Sequence, residues 1–485
     1  MNKFYIKIVF VFGFFITTVL FTACNKWLDA QPQTQLPRAE LFQTEEGFSL
    51  AMTGAYSGLT DQSLYGRALT YGTLDAMAGY YDLGSYARRY ITDAYRDGIW
   101  RGLYKQIAEI NSVLEVIDQQ KHVFSEDNYT VIKGEAIGLR AFLHFDLLRI
   151  YGPGILVEGA KEKLSIPFVD ALSVNIKPLL TMEQAANRII DELEQAVVLL
   201  EKDPMKTGVF PNAVLAPGPA NTGDKDFVLP PSFNRKYTFN YYAALATLAR
   251  VHLWMGNKEE ALRYAKMVIA VQEERFPWIL LSKHLVEPLA SIDGTKRDRT
   301  FATEHIFALN IRALETTVPN DLSSSSSGSG SNLLYMNAAV LNDMFSDGGD
   351  ARYRSLMRQY SEQSYFPTKL YQDASTASYF KHQMPIIRIS EMYYIAAECE
   401  PNYEDGLVLL NKVAGSRGRT SPITASNAAE IRIQLQKEYQ REFINEGQTW
   451  YFFKRYNYEV IPNLPVDRDP YIFSLPIEEI EAGGR

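Results

Sequence analysis

Apolar residues recur at intervals of three and four positions along most of the chain, which is the period of an amphipathic helix. Within residues 99–117, Leu103, Ile107 and Ile110 begin one such apolar stripe. Residues 131–151 are apolar almost all round, and this pattern predicts a central, well-buried helix. The spacing predicts helices over residues 45–59, 99–117, 131–151, 182–201, 241–255, 258–271, 390–398, 403–414 and 428–456.

The helix pair at residues 241–271 has small residues at positions where two antiparallel helices would touch. Ala249 precedes the turn at Gly256, and Ala261 and Ala265 follow it. The pattern resembles a tetratricopeptide unit, whose repeat is about 34 residues, although a generic helical hairpin would show similar spacing. We therefore predict a mostly α fold, in which a few degenerate tetratricopeptide-like helix pairs form the scaffold.

Two long stretches lack helical periodicity and predict irregular structure. Residues 203–235 are rich in proline and glycine, and residues 275–380 contain a Ser/Gly run at 323–331. Short strands are predicted only at 306–311 and 386–389. The helical scaffold then covers mainly 46–272 and 385–456 of a single domain at 46–485. Long irregular segments on a rigid scaffold commonly carry recognition, so we expect the ligand-binding portion there.

The N-terminus has the pattern of a secretory signal peptide. Lys3 and Lys7 precede a nearly continuous apolar run over residues 8–21. A transmembrane helix is the alternative, but it needs about 20 apolar residues and this run is shorter. Residues 20–24 resemble a bacterial lipobox, which predicts cleavage after residue 23 and lipidation of Cys24. Residues 24–45 are then a polar, lipidated tether.

Charge and motifs narrow the function class. The chain carries 49 Lys and Arg against 57 Asp and Glu, a net charge of −8 without a basic block, which argues against a nucleic-acid-binding protein. No metalloprotease, serine-hydrolase or phosphate-loop motif occurs, and the six histidines are scattered. The spacing of Asn221, Asp224 and Asp226 does not fit an EF-hand loop. We predict no catalytic residue, no metal ligand and no cofactor, although carboxylates are numerous enough to leave a glycosidase open.

Several blocks, spread from residue 24 to about residue 480, resemble the SusD/RagB family of Bacteroidota. Each block is weak alone, but their order and coverage make the match specific. The blocks are Cys24–Asp29 with Leu41–Thr44 and Ala51–Tyr56; Trp100, Tyr104, Ile107 and Asn111; Gly134–Ala136, Leu139–Phe142 and Tyr151-Gly152; Ala243–Ala265; Asp350 and Arg352; Pro385–Glu391 with Ala397-Glu398; Glu438, Arg441–Phe443, Glu446–Gln448, Trp450 and Lys454-Arg455; and Leu475–Ile480.

The resemblance implies a non-catalytic lipoprotein at the cell surface of the outer membrane, without an obligatory cofactor. Such a protein sits on a SusC-like TonB-dependent transporter and captures oligosaccharides, or peptides in some members. Four tetratricopeptide-like helix pairs support a loop-rich binding half. A helical glycoside hydrolase and a transporter-associated scaffold without its own ligand remain alternatives.

The family motifs lie at scaffold positions, so candidate binding residues come from the loops. Tyr80, Tyr81, Tyr86 and Tyr90 cluster between two predicted helices, where their rings could line a platform for sugars. Packing against the first helices is the alternative for each ring. Trp278 and Tyr335 are further candidates, and Trp278, with its apolar neighbours, fits a core position better. The predicted ligand-binding residues are therefore Tyr80, Tyr81, Tyr86, Tyr90, Trp278 and Tyr335, and the predicted site of lipidation is Cys24.

Overall fold

The computed structural model describes residues 38–82, 92–173, 175–208, 235–285, 297–322, 333–345, 348–372, 376, 380–461, 471 and 473–483. Its α-helices are α1 (Arg38–Leu41), α2 (Glu45–Leu59), α3 (Thr73–Met77), α4 (Asp93–Leu114), α5 (Asn128–Tyr151), α6 (Met182–Leu199), α7 (Pro204–Thr207), α8 (Tyr241–Trp254), α9 (Lys258–Ile269), α10 (Gln272–Arg275), α11 (Leu281–His284), α12 (Leu314–Leu322), α13 (Ala338–Met344), α14 (Ala351–Leu356), α15 (Ile389–Cys399), α16 (Tyr403–Ser416), α17 (Ala428–Glu442), α18 (Gln448–Arg455) and α19 (Ile477–Gly483). Its strands are β1 (His305–Asn310), β2 (Met336–Asn337), β3 (Met357–Ser361), β4 (Ser364–Pro367) and β5 (Gln383–Arg388).

The predicted mostly helical class, with tetratricopeptide-like helices and few short strands, is confirmed. Each long helix packs on the next in a continuous series that runs α2, α4, α5, α6, α8, α9, α15, α16, α17, α18 and back to α3. Asparagine caps several of these helices, because its side-chain oxygen accepts an orphan backbone N–H of the first turn. Asn240, Asn257, Asn402 and Asn427 begin α8, α9, α16 and α17 in this way.

The central helix of the scaffold is α5, as its uniform apolar pattern predicts. Its residues from Gly134 to Tyr151 are all buried. At Gly138 the neighbouring elements approach so closely that a Cβ atom would lie 2.4 Å from the Phe239 ring. A larger residue there would force the elements apart, so this glycine sets the distance between α5 and the segment that enters α8.

Two small antiparallel sheets complete the fold. The strands predicted near 306–311 and 386–389 exist as β1 and β5, and they pair with each other. A second sheet has the strand order β2-β4-β3 and lies inside the stretch for which we predicted irregular structure. The four residues of β4 alone are too few to show a period-2 pattern, and β3 is largely exposed. The sequence therefore offered no clear signal for this sheet.

The helix predicted over 428–456 is wrong in one respect, because the structure divides it into α17 and α18. Asn445 and Gly447 have φ of 67° and 71°, a left-handed conformation that ends a helix. The buried carboxylate of Asp75 fixes this turn by accepting the backbone N–H of Asn445 at 2.7 Å and that of Gly447 at 3.1 Å. Residues near position 75 and position 446 are thereby joined in one core.

A fully buried ion network surrounds α17. Glu438 and Glu442 lie one helical turn apart, and both accept hydrogen bonds from Arg352, at 2.9 and 2.7 Å. Arg417 binds Glu442 and also Glu304, and Arg388 binds Glu442 and Glu446. Buried charges are tolerated only when they are paired and hydrogen-bonded. The network therefore ties the strand β5 and the loops around 304, 350 and 417 to the scaffold.

Candidate functional site

The structure places Tyr80 and Tyr81 in the core, with 1% of each side chain exposed. The Tyr80 hydroxyl donates to the carbonyl oxygen of Gln440 at 2.7 Å and lies 2.7 Å from Thr449 Oγ1. The Tyr81 hydroxyl accepts from Asn445 Nδ2 at 3.1 Å. The alternative of packing against helices thus describes these two rings, and neither is open to a ligand in this structure.

The other predicted positions differ in how far they reach the surface. Cys24, Tyr86 and Tyr90 lie outside the described residues. Trp278 is partly buried; its ring centroid lies 5.1 Å from that of Tyr393, and the Arg417 guanidinium lies over its face at 5.4 Å. Trp278 therefore occupies the core edge that its apolar neighbours favoured. Tyr335 is partly exposed, and its hydroxyl contacts the carboxylate of Asp82.

Tyr335 lies directly beside Asp82, so the structure joins two segments that the sequence singled out separately. The Asp82 backbone N–H donates to the Tyr335 carbonyl oxygen at 3.0 Å. The Tyr335 hydroxyl donates to Asp82 Oδ2 at 3.3 Å, and Asn337 Nδ2 lies 3.5 Å from the same oxygen. Asp82 also directly precedes residues 83–91, which contain Tyr86 and Tyr90.

Tyr360 extends this corner across the β2-β4-β3 sheet. Half of its side chain is exposed (50%), more than for any other aromatic residue in the described ranges. Its ring contacts that of Phe366 on β4, with centroids 5.1 Å apart. Asn337 pairs with Ser364 across the sheet, and Ser364 shares a face with Phe366 because alternate strand residues point to the same side. We call Asp82, Tyr335, Asn337 and Tyr360 the loop-face site.

A largely buried ion pair holds the segment that leads into Tyr335. Asp321 pairs with Arg67 at 3.0 Å and accepts from the Tyr71 hydroxyl at 3.3 Å. The carbonyl oxygen of Asp321 accepts the backbone N–H of Leu334 at 2.7 Å, one residue before Tyr335. Burial raises the pKa of Tyr71 to about 12, so its hydroxyl stays protonated and keeps this bond at neutral pH. Tyr335 is thus held by the same core that holds Asp82.

The arrangement offers several groups that can bind a ligand. An exposed ring, an amide, a hydroxyl and a carboxylate suit a polar ligand with apolar C–H faces. Within the described ranges, no group of His, Cys, Asp and Glu is arranged to hold a metal ion. The carboxylates of the ion network have arginine partners, and the guanidinium groups of Arg352 and Arg441 hold the pKa of Glu438 at about 2 in spite of its burial.

The sequence pattern predicted neither Tyr360 as a site residue nor a cleft that the structure contains. Tyr360 lies on a short exposed strand whose polar neighbours give no periodic signal. The cleft has a volume of about 280 Å³ and lies among α9, α15, α16 and α17. Its lining residues come from these four helices and from Glu400 and Tyr456 outside them, so only the tertiary arrangement brings them together.

Comparisons with known proteins agree with the fold. A model described as "starch-binding associating with outer membrane" matches residues 26–216, and a model of the SusD family matches residues 324–465. A SusD-like protein of Bacteroides ovatus is 26% identical over 189 residues, which are 37% of this chain. That match spans 33% of the relative's length.

Solved structures with this fold cover nearly the whole chain. A SusD superfamily protein of Bacteroides thetaiotaomicron superposes with a TM-score of 0.65 at 19% identity, covering 91% of this chain and 93% of the other. A putative sugar-binding protein of Bacteroides vulgatus gives a TM-score of 0.67 at 19% identity, with coverage of 91% and 97%. A SusD-like carbohydrate-binding protein of the same species gives 0.62 at 17%, with coverage of 85% and 83%.

The two family models lie in the order in which the sequence blocks occur, and together they match roughly two thirds of the chain. The helical series and the near-complete superpositions agree with that assignment. The chain belongs to the SusD/RagB family.

Proposed function

We propose that this protein is a non-catalytic, cell-surface nutrient-binding lipoprotein that captures oligosaccharides and delivers them to a SusC-like TonB-dependent transporter. Family membership supports a carbohydrate-binding accessory protein of the outer membrane. The observation that carries the finer proposal is the loop-face site, where the exposed ring of Tyr360 lies on the same sheet as Asn337, and Tyr335 directly precedes β2.

The chemistry of a sugar fits these groups. A pyranose ring presents apolar C–H faces that stack on an aromatic side chain, while its hydroxyls need donors and acceptors. Tyr360 supplies the face, and the amide of Asn337 and the carboxylate of Asp82 supply both kinds of polar partner. These groups are positioned by a sheet and a buried ion pair, so little ordering is needed when the ligand binds.

The membrane attachment is proposed to be a lipid on Cys24. No helix in the described ranges combines the length and apolarity that crossing a membrane requires. Several acyl chains on one cysteine would hold the protein firmly, because each buried CH₂ contributes about 0.8 kcal/mol. Mass spectrometry of the protein from membranes would test this: an acylated N-terminal Cys24 is expected, and an unmodified Met1 would contradict it.

The ligand proposal is tested with the soluble form that begins after Cys24. Plant, host and microbial glycans and mixed peptides are screened by affinity gel electrophoresis and calorimetry. We expect saturable binding of a glycan. Tyr360→Ala should weaken that binding by about 1–2 kcal/mol, roughly 5- to 30-fold in Kd. Tyr360→Phe keeps the stacking face and should retain most of the affinity.

A matched control separates the site from general effects. Tyr129→Ala removes a partly exposed ring at the start of α5, whose contacts are with Asp118, Lys133 and Phe124 rather than with the loop-face site, and should leave glycan affinity unchanged. A peptide hit in place of a glycan would assign the protein to peptide uptake. Turnover of the glycan would contradict the non-catalytic proposal, and a transporter complex without any ligand would favour a scaffold.

A further inference from the structure

We propose that the cleft among α9, α15, α16 and α17 is a second binding site, which takes a compact carboxylate-bearing ligand of the size of one ring. We call it the helical cleft. Its volume is about 280 Å³, just below the range of drug-sized ligand pockets, roughly 300–1,000 Å³. The residues that decide its chemistry are Lys258, Tyr403, Ile431, Arg432, Leu435 and Tyr456.

Within the described ranges, Arg432 brings a positive charge to the helical cleft that pairs with no carboxylate. Among the residues that the structure describes, no carboxylate oxygen lies within ion-pair distance of its guanidinium group. The contact that the group does make is with the ring of Tyr456, whose centroid lies 5.4 Å from the guanidinium carbon. An arginine over a ring keeps its N–H donors in a plane, from which they can bind a carboxylate with two hydrogen bonds.

Lys258 is a second cation at the helical cleft. Its ammonium group lies 3.4 Å from the main-chain carbonyl oxygen of Glu398, a long contact with a neutral group. No carboxylate in the described part of the chain lies within ion-pair distance of it either. Lys258 and Arg432 are both exposed, so an anion that enters the cleft from solvent can reach them.

The acidic residues of the cleft do not neutralise these cations, because each already has a partner. Glu398 binds Arg455 through both oxygens, at 2.5 and 2.6 Å. Glu400 pairs with Lys266 at 2.7 Å. Both carboxylates are thus bound by cations outside the lining, and Arg432 and Lys258 remain available to an anion. The chain's net charge of −8 therefore does not describe this cleft.

The rest of the lining favours a ring on the ligand. Ile431 and Leu435 are buried on one face of α17, and the rings of Tyr403 and Tyr456 are partly exposed beside them. A volume of about 280 Å³ accommodates a single sugar or aromatic ring but not a long oligomer. A carboxylate on a compact ring, such as a uronic acid, matches both the charge and the apolar walls.

The test uses calorimetry and NMR titration of the soluble chain at low salt. D-Galacturonate and benzoate are compared with D-galactose and benzamide, which have the same rings without the carboxylate. We expect only the acids to bind, with an affinity that falls as salt is added. Arg432→Gln and Lys258→Gln should each weaken binding at least tenfold. Lys437→Gln removes a charge from the same helix outside the cleft and should change nothing.

Several results would overturn the proposal. Equal binding of galacturonate and galactose would show that the carboxylate is not recognised. Unchanged affinity in Arg432→Gln, or no acid binding up to about 10 mM, a concentration that detects even millimolar affinities, would also refute it. A third probe, an acetylated dipeptide with a free C-terminus, separates the sources: binding of galacturonate assigns the site to acidic sugars, and binding of the dipeptide alone assigns it to chain-end carboxylates. Tyr360→Ala should leave every acid titration unchanged, because the helical cleft does not depend on the loop-face site.

Discussion

Replacement of Glu438 by glutamine removes one negative charge from the centre of the buried ion network. The side chain is fully buried and accepts four hydrogen bonds. The donors are Arg352 at 2.9 Å, Tyr394 at 2.9 Å, Arg441 at 2.8 Å and Arg419 at 3.2 Å. Glutamine has the same shape but only one acceptor oxygen, and its NH₂ group would face cationic donors.

Both the lowered pKa of Glu438 and the usual cost of breaking a buried ion pair indicate a similar loss of stability. The arginines lower the pKa of Glu438 from its ordinary value of 4.5 to about 2. That fall corresponds to about 3 kcal/mol of stability at neutral pH. Breaking a buried ion pair by removing one partner typically costs about 3–5 kcal/mol. We therefore expect Glu438→Gln to lower the free energy of unfolding by about 3 kcal/mol at pH 7.

The pH dependence provides a sharper signature. A carboxylate whose pKa is lowered in the folded state stabilises the protein fully above its unfolded pKa, here near 4.5. The contribution is lost as pH falls toward the folded value of about 2. The difference between wild type and Glu438→Gln should therefore be constant from pH 7 to 5 and shrink to about half near pH 3.

The assay is urea unfolding followed by circular dichroism at several pH values. Glu109→Gln is the matched control, because Glu109 is exposed on α4; its effect should stay within about 0.5 kcal/mol. A cost below about 1 kcal/mol at pH 7 would refute the reasoning, because it would mean that the surrounding arginines do not need the negative charge of Glu438. A cost that does not change down to pH 3 would show that shape, not charge, determines it.

Three further predictions concern other parts of the molecule. Tyr80→Phe should cost about 1–2 kcal/mol in thermal unfolding, because the carbonyl oxygen of Gln440 loses a buried donor, and it should leave ligand affinity unchanged; a loss of affinity with unchanged stability would place Tyr80 in the binding site after all. Burial raises the pKa of the Cys399 thiol to about 12, so a thiol reagent should label this residue only after urea is added, and rapid labelling of the native protein would contradict its burial. Gly138→Leu should cost several kcal/mol, because its side chain would overlap the Phe239 ring, and a urea midpoint equal to that of wild type would refute the close approach.

The helical scaffold was predictable because its signal is local. The apolar stripe of α4 and the uniformly apolar pattern of α5 each lie within one continuous segment of the chain. The structure has helices there, at Asp93–Leu114 and Asn128–Tyr151. The break between α17 and α18 was not predictable in this way. The only local signal is the Asn445–Gly447 stretch, and the turn is fixed by Asp75, which is about 370 residues away in sequence.

The candidate site, too, was predictable only in part. The sequence indicated the neighbourhoods of positions 80 and 335, and the structure places Asp82 against Tyr335. It could not show that Tyr80 and Tyr81 are covered, because the covering residues 440–449 belong to a distant helix pair. Tyr360 carries no periodic signal, and its exposure follows from the position of β3 at the edge of a three-stranded sheet.

The link between Asp75 and the turn at 445–447 has a consequence for biosynthesis. Ribosomes add roughly 5–20 residues per second, so the partners of Asp75 emerge about 20–75 s after it does. Until those residues are available, the Asp75 carboxylate lacks both of its backbone donors and the elements that cover it are missing. Contacts this distant in sequence slow folding, because loop closure must precede any gain from them. The first third of the chain is therefore the part that most needs protection from premature association while the remainder is made.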